Sequence, residues 1–242
     1  MAKKLWIKMP TNWIHKDGLR AFGWSVRSVK VSNAHKISAL QLYVAIAMTC
    51  EDMEITNQDG ASLTCFASSL TYNRLQVMTG LSRSSVAGGL SLLEEKEIIK
   101  VFREGRKNYY SPADYNGVSG WCKVPYRRLL NDQGNVIAFH GFKLRRKAEL
   151  HALKLYLYLC YARPNTSHFT MASYEAINKA TGIPEKFIPA AYTVLVGTGL
   201  LSHIDKSAEE GATKKRMANS YYITGYRDLL QNFERVQQKG PA

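Results

Sequence analysis

The stretch Thr79–Ile99, TGLSRSSVAGGLSLLEEKEII, places one guanidinium, Arg83, among three hydroxyls, Ser82, Ser84 and Ser85, at the start of a helical pattern. An arginine at the entry of a helix can make paired hydrogen bonds to guanine, and hydroxyls reach bases or phosphates. Ala87 and Gly88 are small enough to let such a helix sit close to a groove. A plainer reading makes Ser82 a helix cap and Arg83 a solvated first-turn residue. Thr181–Leu201, TGIPEKFIPAAYTVLVGTGLL, has the same frame with different chemistry. Its Pro184, Phe187, Pro189, Ala190 and Val194 offer little to base edges, while Lys186 still permits phosphate binding.

Catalysis would need a constellation that the sequence lacks. The six histidines, at 15, 35, 140, 151, 168 and 203, are isolated, with no HExxH pattern. There is no GxxxxGK[ST] phosphate loop, and Glu94-Glu95 fits a solvated helix end. The pairs Tyr109-Tyr110 and Tyr221-Tyr222 lack the clustered histidines that strand-nicking tyrosine enzymes need, and their alternation along a strand puts one of each pair in the core. The expectation is a binding protein, without enzymatic activity and without a cofactor or metal.

Composition narrows the ligand. The 242 residues carry 33 Lys+Arg against 19 Asp+Glu, a net charge of +14. The excess is spread through both halves, 15 basic against 10 acidic residues in 1–116 and 18 against 9 in 117–242. So basic a globular chain points to a polyanion, nucleic acid ahead of membrane. Cys50, Cys65, Cys122 and Cys160 form no metal spacing and read as reduced thiols of a cytoplasmic protein. MAKKLWIKMP lacks the apolar run of a signal peptide, and no run of 18 apolar residues predicts a membrane span.

Positioning elements recur along the chain. Trp6-Ile7-Lys8-Met9-Pro10 matches Trp121-Cys122-Lys123-Val124-Pro125, and Leu42-Tyr43 matches Leu155-Tyr156. Tyr72–Gly80 matches Tyr174–Gly182 at a shift of 102, and Asn108-Tyr109-Tyr110 pairs with Ser220-Tyr221-Tyr222. At the same shift, Leu81, Val86, Leu90, Leu93 and Ile98-Ile99 fall on Ile183, Ile188, Tyr192, Leu195 and Leu200-Leu201, a core-facing helical spacing. The first unit predicts helices over 38–50, over 72–78 with Thr71 as cap and Gly80 as stop, and over 82–95. Strands over 98–102 and 108–111 flank a turn at Arg103–Lys107, and EDMEITNQDGASLT reads as a loop. The second unit predicts helices over 145–163, 173–180 and 186–196, then strands over 200–204 and 219–224. Pro189 belongs to the first turn of its helix. Tryptophans 6, 13, 24 and 121 are expected to pack the front strands onto the helices.

Two helices joined by Thr-Gly-Leu-Ser, a reading helix and a hairpin over residues 38–112 resemble the winged-helix DNA-binding superfamily of bacterial regulators and replication initiators, on the turn TGLSRSSV and the following LEEK-x-II. The W-x-K-x-P strand and the tandem layout resemble plasmid replication initiators, including the iteron-binding ones. The expected fold is mainly α with small β-hairpins (α+β): two tandem winged helix-turn-helix domains from an internal duplication. Domain 1 spans 1–116 with an N-terminal strand, and domain 2 spans 117–242 with a longer basic wing and a C-terminal helix.

The resemblance implies a sequence-specific duplex DNA-binding protein of a bacterial plasmid or mobile element, associated with nucleoid or plasmid and acting in DNA replication as an initiator. Transcription regulation is the alternative. DNA contacts are expected from Ser82, Arg83, Ser84 and Ser85, from Arg103, Arg106 and Lys107 on the first wing, and from Lys186, Lys214, Lys215 and Arg216 in the second unit. Lys143, Arg145, Arg146 and Lys147 are either a further contact or a solvated face. The outward stripe Phe187, Ala190 and Val194 suggests a protein interface, with a second copy or a replication or segregation protein as occupant. It also keeps open a reading from another class, a winged-helix protein–protein adaptor in chromosome or plasmid segregation.

Overall fold

A computed structural model describes residues 5–26, 31–56, 62–105, 107–206 and 218–228. The chain is mixed α+β, with small antiparallel sheets around a helical centre. Strand β1 (Trp6–Pro10) leads through a short helix α1 (Asn12–His15) and a 3-10 turn at Gly18–Ala21 to the long helix α2 (Asn33–Thr49). Strands β2 (Glu51–Thr56) and β3 (Ser62–Ser69) follow, then helices α3 (Tyr72–Thr79) and α4 (Arg83–Glu95) and the hairpin β4 (Ile99–Glu104) and β5 (Lys107–Pro112). The second half runs β6 (Trp121–Pro125), α5 (Ile137–His140), α6 (Lys147–Ala162), β7 (Thr170–Ala172), α7 (Tyr174–Thr181), a 3-10 turn at Glu185–Phe187, α8 (Ile188–Gly197), β8 (Leu201–Asp205) and β9 (Asn219–Ile223). In each half a strand from before the helix pair joins the hairpin, in the orders β3-β5-β4 and β7-β9-β8.

Local chemistry explains the boundaries. Thr71 Oγ1 accepts from Arg74 N at 3.1 Å, Ser82 Oγ from Ser85 N at 3.2 Å and Ser173 Oγ from Ala176 N at 3.1 Å, each capping a helix. Gly80 at φ 74° and Gly182 at φ 69° end α3 and α7 in the left-handed region that glycine adopts without strain. Pro189 lies in the first turn of α8, where no amide is needed. Leu81, Val86, Leu90, Leu93, Ile98 and Ile99 are buried, as are Ile183, Ile188, Leu195, Leu200 and Leu201. Tyr192 departs from the expected pattern and is half-buried.

The segment expected to be a loop, 51–64, contributes β2 and the start of β3, and β2 forms the sheet edge. Ile55, Ala67 and Tyr109 make a small core beneath it, apart from the main one. The first wing's turn is also tighter than expected: Glu104 pairs with Lys107, so Arg103 and Lys107 are strand residues, and Gly105 turns at φ 57°. Tyr109 and Tyr110 are both buried, whereas Tyr221 is buried and Tyr222 half-buried. The expected C-terminal helix falls largely on 229–242, outside the described residues.

The halves share one core running from Ile7 to Tyr226, with the nearly all-buried α2 and α6 against each other at its centre. β1 and β6 pair antiparallel with Lys8 opposite Lys123, Trp6 opposite Pro125 and Pro10 opposite Trp121. That register is symmetric about the two lysines, which is what a local two-fold axis between them requires. Ile7, Met9 and Val124 enter the core. Trp6 and Trp24 pack against the core as expected, and Trp6 also stacks on Trp121, centroids 5.9 Å apart. Lys8 and Lys123 lie over the opposite rings at 5.1 and 4.8 Å. Trp13 does pack inward, edge-on to Tyr43 of α2 at 5.1 Å.

Further links cross between the halves. The Arg74 guanidinium on α3 donates to Asn135 Oδ1 and the carbonyls of Gln133 and Gly134. Val136 N donates to Met78 O at 2.8 Å, and Gln41 Nε2 to Phe139 O at 3.4 Å. In the opposite direction Arg20 donates to Lys179 O at 2.7 Å, and the buried Lys154 to Phe22 O at 3.1 Å. Among the described residues no helix is long and apolar enough to cross a membrane.

Candidate nucleic-acid interface

Helix α4 is held against α2 through two glycines. A side chain at Gly89 would meet Leu42 Cδ1 at 2.6 Å and the backbone of Ala39 and Ser38 at 3.0–3.1 Å. One at Gly88 would meet the His35 ring at 2.5 Å, so Gly88 serves helix packing and does not open the outer face as its small size suggested. Packing this close turns the opposite side of α4 outward. Ser82, Arg83, Ser84 and Ala87 are exposed there and Ser85 is half-buried. The Ser82 hydroxyl also lies 3.0 Å from Ser84 Oγ and 2.9 Å from Ser85 Oγ, one connected group of hydroxyls.

Arg83 does not project freely. Its guanidinium lies 5.4 Å over the Tyr72 ring and donates to Asn73 Oδ1 at 3.4 Å, both on α3. An arginine laid on an aromatic face keeps donors available while losing less freedom on binding. On the first wing Arg103 and Lys107 are exposed. Arg106, Lys214, Lys215 and Arg216 lie outside the described residues.

The corresponding face of the second half is built otherwise. Ala190 is exposed, but Phe187 and Val194 are half-buried and pack against the core. The Phe187 ring has the His151 ring 5.7 Å away and the ammonium groups of Lys147 and Lys186 over it at 4.2 and 5.2 Å. The expected apolar stripe is thus broken at its first member, which this chain's own cations cover. Lys186 remains exposed.

The basic run before α6 surrounds an acid that the sequence reading passed over. Glu149 is 4% exposed, and its carboxylate accepts from Lys143 N at 2.6 Å and from Arg145 N and Arg146 N at 2.9 Å each. Leu144 adopts φ 60° to complete the wrap. The side chains of Lys143, Arg145 and Arg146 are exposed. An N-cap of Ser, Thr, Asp or Asn would have signalled a capping box, but Arg146, whose side chain has no acceptor, occupies the position and only the glutamate's half of the motif forms.

Buried and half-buried bases of both halves are pushed toward neutrality. Burial first, then Lys154 and Lys147, bring His151 down to about 4. Burial, then Arg20 and Lys36, bring Lys154 down to about 8. Burial and Lys96 lower Lys36, and burial and Arg163 lower Lys123. In each case a cation is opposed by another cation, the local form of a large positive excess. The ion pairs Lys16–Asp114 and Arg128–Asp228 are exposed and stand apart from these residues. Among the described residues no group of three or more His, Cys, Asp or Glu is placed to hold a metal ion. Against protein-family models, curated proteins and solved structures, the chain finds no match in any of the three comparisons.

Proposed function

We propose that the chain is a tandem duplication of a winged-helix unit that binds duplex DNA at a specific site, as a replication initiator of a bacterial plasmid or mobile element. Each half runs helix, helix, helix and hairpin, with a leading strand completing the sheet. The observation that carries the reading is the symmetric β1–β6 register. A two-fold between Lys8 and Lys123 gives one chain two third helices in the relation that a dimeric DNA-binding protein obtains from two chains. The hydroxyl and guanidinium face of α4 suits base edges, and the charge of +14 suits phosphate.

Selection from a pool of random duplexes at two salt concentrations tests this. The expected result is an enriched motif with two unlike halves and binding that weakens steeply with salt. Feeble, salt-insensitive binding without a motif overturns it. A motif lying across a promoter, with no origin beside it, turns the reading from initiator to transcriptional regulator.

A further inference from the structure

The basic run Lys143–Lys147 occupies a particular place. Its leading residues connect the two third helices. A side chain at Gly80, in the turn before α4, would meet His140 at 3.1 Å, so α5 of the second half covers that turn. One residue on, a side chain at Gly141 would lie 3.3 Å from Thr198 Cγ2 at the C-terminal end of α8. The chain then passes Lys143, Leu144, Arg145 and Arg146 and reaches Lys147, whose ammonium caps Phe187 at the other end of α8. Lys143 is three residues on from His140, so its Cα lies within about 11 Å of that residue. The run therefore spans from the entry of α4, along α8, to the entry of α8.

The backbone of the run is fixed and its side chains are not. Glu149 takes the amides of Lys143, Arg145 and Arg146, which ties the loop down to the start of α6. That arrangement holds Lys143, Arg145 and Arg146 outward, and no ion pair among the described residues engages them. An internal carboxylate holding a loop in order to display three cations is preorganisation for an external anion.

We propose that Lys143, Arg145 and Arg146, with Lys147 and Lys186 beside them, grip the phosphate backbone of one duplex between the two third helices. The proposal rests on the DNA-binding reading above and adds a division of labour: the first half reads bases, and this run supplies grip without sequence preference. Phosphate is the ligand because planar guanidiniums on adjacent residues of a fixed loop match its oxygens in pairs, and because α8 itself offers few groups for bases.

The test uses the full chain with Arg145→Gln and Arg146→Gln together, and a 30-base-pair duplex of random sequence as probe. Lys16→Gln with Arg128→Gln, at exposed residues each paired with an acid, is the charge-matched control. With two phosphate contacts gone, the slope of log K against log salt should fall by about 2 in the double variant and stay unchanged in the control. The base motif selected by the variant should be that of the wild type. An unchanged slope in a variant that melts like the wild type overturns the clamp while leaving DNA binding intact. A wild type that binds no duplex at any salt overturns the functional reading and the clamp with it. Should the double variant melt early, Lys143→Gln alone, away from the capped helix start, decides by a slope change of about 1.

Discussion

The two helix-turn-helix segments share a frame and differ in what they turn outward. At a shift of 102, Gly88-Gly89 of α4 stands where α8 has Ala190-Ala191. The glycines let α4 lie close on α2 and leave Ser82, Arg83 and Ser84 on the outer side. In α8 the outer side carries Ala190, Thr193 and Val196, with Phe187 tucked beneath Lys147 and Lys186. Exposed cations of the second half stand on the loop that precedes α6, at Lys143, Arg145 and Arg146, and at Lys186 ahead of α8. Similar core spacing is thus compatible with different polar surfaces, because it constrains only one face of each helix.

The sharpest break of this comparison is at the starts of the central helices. Glu149→Ala orphans three amides that a charged acceptor now satisfies and should cost about 4 kcal/mol in denaturant unfolding. The equivalent start of α2 is capped by the Ser32 hydroxyl, which accepts from His35 N, and Ser32→Ala should cost about 1 kcal/mol. Equal losses would mean that the loop before α6 is held by something other than Glu149.

Acid should separate the halves next. His151 on α6 falls where α2 has Ser38, by the alignment of Leu155 with Leu42. Its Nδ1 is buried without a partner, and its pKa is depressed from 6.5 to about 4. The unfolded chain therefore takes up the proton first. The stability this neutral ring contributes is complete above pH 6.5 and is lost as pH falls toward about 4, by about 3 kcal/mol at most. His151→Gln should flatten the stability profile between those values. A profile as steep as the wild type's would place the acid sensitivity in another group.

On DNA, Arg83→Ala should weaken the preferred site by about 1–3 kcal/mol and random duplexes by less. Lys186→Ala should weaken both equally and lower the salt slope by about 1. If the two variants behave alike, the division between a reading half and a gripping half fails.

Much of the frame was legible in the residues. Thr71 and Ser82 announced two caps, Gly80 a stop, and the spacing from Leu81 to Ile99 the buried face of α4, whereas Ser173, expected inside its helix, caps it instead. Those signals are local, and local chemistry decides them. The β2–β3 hairpin was missed although Met53 and Ile55 alternate with acids and Asp59-Gly60 is a hairpin dipeptide, because its partner strand β5 is far away in sequence. The pairing of β1 with β6 and the covering of Gly80 by His140 were hidden for the same reason: each joins residues of different halves. The Glu149 site was masked by its unusual cap, Arg146, and by a left-handed residue, Leu144, that is not a glycine.

The smallest expected effect separates capping from contact at the entry of α4. Ser82 both caps the helix and stands in the exposed hydroxyl group that would meet DNA, whereas α8 begins without a side-chain cap. Glycine is nearly as good as serine at an N-cap, so Ser82→Gly should reduce stability by roughly 0.3 kcal/mol, against about 1 kcal/mol for Ser82→Ala. If the hydroxyl only caps, DNA affinity should follow stability, falling more for alanine than for glycine. If it touches the duplex, the two variants should lose affinity equally while their melting temperatures differ. The ratio of the two losses therefore assigns Ser82 to the helix or to the ligand, and with it shows how far the reading surface extends ahead of Arg83.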